Sequence, residues 1–185
     1  AGCVMNVTIT SFPEPLVTVE EAKVALGESG SDRDELISML LQAAQAELDG
    51  PKGWVGITVA QQGLEVTFDR FDEAIRLPGP IIGDVVITYL GSDGPVVLDS
   101  SAYVVDGDGS LSPTAGSSWP SVTSQAGAIS ASYTAGMVIG EDEQRISLMK
   151  TAIILHVRMT MDGVDPAASR RAIEALVRPL WVAVM

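Results

Sequence analysis

Few side chains in this sequence could do chemistry, and their spacing argues against most of what they could do. Residues 105–110 read Val-Asp-Gly-Asp-Gly-Ser, the opening of a calcium-binding loop. Counted from Asp106, such a loop requires Gly at position six and Glu at position twelve. Those positions hold Leu111 and Ser117, so the segment reads as a tight turn between strands. His156 is the only histidine, which excludes a multi-histidine metal centre and any Ser-His-Asp triad elsewhere in the chain. It stands in an apolar helical run, the setting of a packed core or interface histidine. Asp32 and Asp34 could pair as an acid and a base, but they fall where a helix begins and its free amides favour negative charge. The glycines of Gly-Pro-Ile-Ile-Gly (79–83) and Ala-Gly-Met-Val-Ile-Gly (135–140) lack the Lys-Ser/Thr of a phosphate loop and read as turns. The serine-rich stretch 112–127 offers hydroxyls and no base to activate one. The expectation is no catalytic residue, no metal and no cofactor.

The bulk composition narrows the class further. A chain of 185 residues suits one domain and is long enough to bury roughly 70% of its unfolded surface. Hydrophobic residues make up 46% and charged residues 19%, too apolar for disorder. No apolar run reaches the ~18 residues a membrane span requires, and no basic segment precedes an apolar one as in a secretory signal. Met5 is read as the first native residue, with Ala1 to Val4 either a cloning scar or a remnant of processing. Cys3 has no second cysteine to pair with, which fits assembly in the cytosol. The net charge of −13 is carried entirely by residues 1–140, with eighteen acids against five bases; from Glu141 onward six acids meet six bases. Such a surface favours solubility and repels nucleic acid.

The elements follow from local signals. Thr18 and Glu21 have the spacing of a capping box, so Val-Glu-Glu-Ala-Lys-Val-Ala-Leu is a short helix ended near Gly27. Ser31 is the expected cap of a second helix that buries Ile37, Leu41, Ala44 and Leu48 and stops at Gly50-Pro51. The period then changes. Leu64, Val66 and Phe68 alternate with Glu65, Thr67 and Asp69, and similar alternation around 84–90, 101–106 and 128–134 implies a small antiparallel region of roughly four to six strands. Pro78 and Pro80 fence one strand, which stops at Ser92-Asp93-Gly94-Pro95 before a second begins. Helix returns at 141–161, apolar nearly all round from Ala152 to Met159, as expected of a segment buried in a core or against a neighbouring subunit. Asp165 and Pro166 open a last helix, expected to close with Arg178 before Pro179. The apolar tail Leu180-Trp181-Val182-Ala183-Val184-Met185 either folds back onto the domain or anchors another protein.

The order of these elements from about Pro15 to Ala135 resembles the head-tail connector (adaptor) family of long-tailed bacteriophages, prophages and gene transfer agents. The family's recurring marks fall on Glu35, Leu36 and Ile37, on Gln61, on Arg76-Leu77-Pro78 with Pro80 and Ile81, and on Tyr89. They continue at Asp93-Gly94, Tyr103, Trp119-Pro120 and Tyr133 with Ala135-Gly136. The chain departs from the pattern after Gly136, where Met-Val-Ile-Gly-Glu-Asp-Glu-Gln-Arg replaces a proline-rich segment, and at His-Val-Arg-Met-Thr-Met-Asp-Gly, where an aromatic and an Asn-Arg pair are usual.

The resemblance implies an α+β fold: N-terminal helices (15–50), a small antiparallel β-region (57–136), C-terminal helices (141–178) and the tail (179–185), packed into an α-helical ring subunit as one connector domain. It implies a non-enzymatic structural role in a ring of about twelve copies at the virion neck, assembled in the host cytoplasm and closed by heterologous contacts. The expected partners are further copies of itself, the portal protein and a tail-side neck or stopper protein, with no membrane. DNA would pass through the channel without sequence-specific binding, and the charge split of the sequence leads to the expectation that acidic residues line it. Arg170, Arg171, Arg178, Leu180, Trp181, Val182 and Met185 are the residues expected to meet the portal. A second reading stays open: a monomeric β-rich module that binds a ligand, a glycan among the candidates, with Trp54 or Trp119 as a stacking platform.

Overall fold

A computed structural model describes residues 5–72 and 75–182. The chain divides into two compact units, one of residues 14–60 with 137–185 and the other of residues 1–13 with 61–136. Each has a hydrophobic core of its own.

The first unit is helical. Helix α1 (Val19–Leu26) starts at the expected capping box: Thr18 Oγ1 accepts from the Glu21 amide, and the Glu21 carboxylate accepts from the Thr18 amide. Gly27 closes it with φ of 74°, a left-handed conformation that glycine adopts without strain. Helix α2 (Asp34–Leu48) begins three residues after Ser31, whose carbonyl instead accepts from the Asp34 amide in a preceding turn. Its stripe Ile37, Leu41, Ala44 and Leu48 is buried as expected. Gln45, also buried, donates to the Glu14 carbonyl and accepts from the Leu16 amide, tying the entering chain to the helix. Helix α3 (Glu143–Met161) buries Ile146, Met149, Ala152, Ile153 and Val157. Asp165 caps α4 (Pro166–Val182) by accepting from the Ala168 amide.

Helix α4 does not stop at Pro179. Ile173, Val177 and Leu180 form a continuous stripe at spacings of four and three, all fully buried, and this packing carries the helix through a residue that contributes no amide hydrogen.

Buried Asp49 organises the segment that leaves α2. Its Oδ1 accepts from the Gly50 and Val59 amides at 2.8 and 2.7 Å, and its Oδ2 accepts from Ala60 at 3.0 Å. The Val59 carbonyl in turn accepts from Met137 at 2.9 Å. Burial raises the Asp49 carboxyl above its ordinary range, and the three amides pull it only partly back. The native state therefore holds this proton more tightly than the unfolded chain does. That contribution is present below the ordinary carboxylate range and is lost as pH rises through the elevated value.

The second unit is built of β-strands apart from one short 3-10 helix, and it overturns the expectation of a helical ring subunit with a small β-region. Among the described residues eight strands form two antiparallel sheets, more than the four to six expected. The larger sheet contains β1 (Asn6–Ser11), β2 (Gln62–Phe68), β4 (Ile81–Gly91), β5 (Gly94–Val97) and β8 (Ile129–Ala135), in the order β1-β2-β8-β4-β5. The smaller contains β3 (Ile75–Arg76), β6 (Tyr103–Val105) and β7 (Ser110–Pro113), in the order β3-β7-β6. The extra strands are β1, supplied from the far end of the sequence, and pieces of two to four residues too short for alternation to register.

Leu64, Val66 and Phe68 of β2 and Ile129, Ala131 and Tyr133 of β8 share one core with Tyr103 and Leu111 of the smaller sheet. The proline fence is fastened to β8: the Tyr133 hydroxyl donates to the Pro78 carbonyl at 2.7 Å, and the Gly136 amide donates to the Pro80 carbonyl at 2.9 Å. Residues 106–109 form the turn expected in place of a calcium loop. Gly109, with φ of 84°, sits so close to the Leu77 carbonyl that a Cβ would lie 2.5 Å from its oxygen.

Replacing Asp49 with alanine should leave the buried Val59 and Ala60 amides without their acceptor, while the Gly50 amide keeps the Ile57 carbonyl at 3.1 Å. We expect a loss of about 2–4 kcal/mol of unfolding free energy, measured by urea denaturation, from desolvated donors of this kind.

Candidate functional site

Among the described residues no group of three or more His, Cys, Asp or Glu side chains could hold a metal ion. No helix of the described chain is long and apolar enough to cross a membrane. His156 lies half-buried on α3, its Nε2 3.5 Å from a Glu47 carboxylate oxygen and its Nδ1 buried without a hydrogen bond. Asp34 of the suspected carboxylate pair is engaged by Lys23 at 2.8 Å. Cys3 lies outside the described residues. Two surfaces stand out.

The first is the outer face of α4, which carries the arginines expected to bind a partner. The helix buries Ser169, Ile173, Val177 and Leu180. At 100° per residue, Arg171 and Arg178 fall on the opposite side, and both are exposed. Arg170 is turned away from them. Its guanidinium lies 4.5 Å from the centre of the Trp54 ring, and its Nε is 3.4 Å from Glu174. Leu180 is fully buried in the core of the helical unit, consistent with the fold-back alternative for that residue. Trp181 and Val182 continue the helix, and Met185 lies outside the described residues.

The second is an open groove of about 790 Å³ in the β unit, formed by β4, β5, the short 3-10 helix Ser100–Ala102 and β6. It exists because β4 breaks its pairing with β8 between Ile82 and Val86, where Gly83 takes φ of 77°. The Tyr103 hydroxyl donates to the Val85 carbonyl and fixes the floor. Burial raises the pKa of that hydroxyl, and Asp84 and Asp99 raise it further. Asp84, Asp99 and Asp106 line the groove, and among the described residues no base does. Two hydrogen bonds from Ser101, through its hydroxyl and its amide, hold Asp99 below the usual carboxylate range. Sequence reasoning missed this groove because its walls come from three separate stretches, each resembling an ordinary strand or turn.

Both tryptophans considered as stacking platforms are already partnered. Trp119 stacks on Phe71 at 4.3 Å with 7° between the ring planes, and Trp54 carries Arg170. One face of each indole is thus taken within the chain, which weighs against a glycan platform.

No family model matches the sequence, and no curated protein matches it. The fold is similar to that of a solved chain described as "Neck of empty GTA particle computed with C6 symmetry". The likeness covers 94% of each chain with a TM-score of 0.65 at 14% sequence identity.

Two substitutions separate support from recognition at these surfaces. Leu180→Ala should cost about 2–5 kcal/mol of stability, as expected for a filled core position. Trp119→Ala should lower stability by about 1–3 kcal/mol through lost area and stacking. An unchanged unfolding midpoint for the Trp119 variant, together with lost capture on a glycan array, would favour the ligand-binding module.

Proposed function

We propose that this chain is a structural head-tail neck subunit, an adaptor that assembles as a ring beneath the portal, joins head to tail and leaves a channel for DNA. The observation that carries the reading is the end-to-end correspondence of fold with a chain from a GTA particle neck, covering helices and sheets alike. The order of family marks from Pro15 to Ala135 supports the same role independently of overall identity. The C6 symmetry with which that neck was computed is compatible with a ring of twelve, since twelve is a multiple of six.

In this reading the protein works by shape and contact, without a chemical step. The β unit is the rigid module turned to neighbours and to the tail-side protein. The portal is met by the chain end, where Trp181, Val182 and Met185 follow the core anchor Leu180. Arg171 and Arg178 stand upstream of that end on the outer face of α4. A net charge of −13 per copy suits a channel through which DNA must move without adhering, because like charge repels phosphate.

Native mass spectrometry of the protein, alone and with purified portal, tests the reading. A ring near twelve copies in either condition is the expected result, and a strict monomer that ignores the portal overturns it. A chain ending at Leu180 should remain folded by circular dichroism and fail to join portal-bearing heads; completion of infectious particles by that truncation would remove the chain end from the portal contact.

A further inference from the structure

A ring of identical copies closed head to tail needs two different patches on each copy that fit one another. The chain carries one acidic and one basic candidate. Asp84, Asp99 and Asp106 line the groove of the β unit and are exposed, and none of them has an ion pair among the described residues. Val86 and Val97, 48% and 66% exposed, form apolar parts of its lining. Lys52, Arg158, Arg171 and Arg178 are the bases with no ion pair among the described residues, and only Arg171 and Arg178 share a helix. Seven residues apart on α4, they stand on the same face, about 10 Å from each other along the axis.

We propose that the acidic groove of one copy receives the Arg171–Arg178 face of α4 from the next copy, and that this heterologous contact closes the ring. The inference rests on the ring reading above. Arginine suits such a place twice over: its methylene stem can lie on valine while its guanidinium reaches a carboxylate, and its charge is not lost at any working pH. The contact also addresses a problem created by composition. Copies that each carry −13 repel one another, so association depends on places where opposite charges meet.

A charge swap tests this. Asp84 and Asp106 are suitable because Asp99 also holds the 3-10 helix through Ser101. D84K/D106K and R171E/R178E should each raise the concentration at which half the copies are in rings by roughly tenfold or more, read by native mass spectrometry at low salt with portal present. Mixed one to one, the two variants should form rings of alternating copies, and the chain carrying all four changes should form rings by itself. Rings of either single-sided variant at the wild-type concentration overturn the contact while leaving the ring reading intact. So does a pair of folded variants that stays apart on mixing. A wild-type protein that forms no ring with or without portal overturns both. Should a reversal unfold the subunit, D84N/D106N and R171Q/R178Q replace it: each should weaken ring formation, and combining them should weaken it no further than the stronger alone, whereas additive losses overturn the pairing.

Discussion

The carboxylate of Asp49 is the constraint on which the chain's course depends. A buried acid is unfavourable unless donors surround it, and here three backbone amides do so. Two of them, from Val59 and Ala60, belong to the last residues of the helical unit before the chain enters the β unit at Gln61. The Val59 carbonyl then receives the amide of Met137, the first residue after the chain comes back. One side chain at the end of α2 thus fixes the outgoing segment, which fixes the returning one. On the β side the same two segments pair as Gln62 with Ala135, and Gly136 passes so close to Gln61 that a Cβ would lie 2.6 Å from its Cα.

Much of the fold was legible in the sequence because local chemistry there agrees with tertiary need. Thr18 with Glu21 and Asp165 with Pro166 cap the helices they were expected to cap, and Leu64, Val66 and Phe68 point inward as their alternation implies. The failures have physical causes. Ser31 has the right side chain for a cap, yet a turn stands between it and the helix, which starts at Asp34 with no side-chain cap. Pro179 ordinarily ends a helix, but the burial of Leu180 one residue later outweighs the lost hydrogen bond. In sequence Asp49 is one more acid beside a helix stop, and nothing local signals that two of its partners lie ten and eleven residues away. Strand β1 depends on β2, more than fifty residues distant, so its own six residues carry only a weak pattern.

The candidate surfaces were legible only in part. The arginines of α4 could be singled out because a basic cluster in an acidic chain is visible in sequence. That Arg170 is occupied by Trp54, while Arg171 and Arg178 are left outward, requires the fold. The groove needed the fold entirely, since a bulge in β4, a 3-10 helix and the turn after β6 have to converge before three scattered aspartates become one surface.

The threading of the chain bears on how such a protein could change over time. Residues 61 and 136 lie side by side in the β unit, so most of that unit resembles an inserted cassette whose ends close a loop at little entropic cost. A cassette with adjoining ends can be exchanged between relatives while the helices are retained. Strand β1 prevents a clean exchange here, because it enters from residues 6–11 and covers the edge of β2. A replacement module would inherit a foreign edge strand, or its own sheet would be left with an unpaired border open to association. Recombination at residues 61 and 136 is therefore permitted only with modules that accept this N-terminal strand in register, which ties the evolution of the β unit to the first dozen residues of the chain.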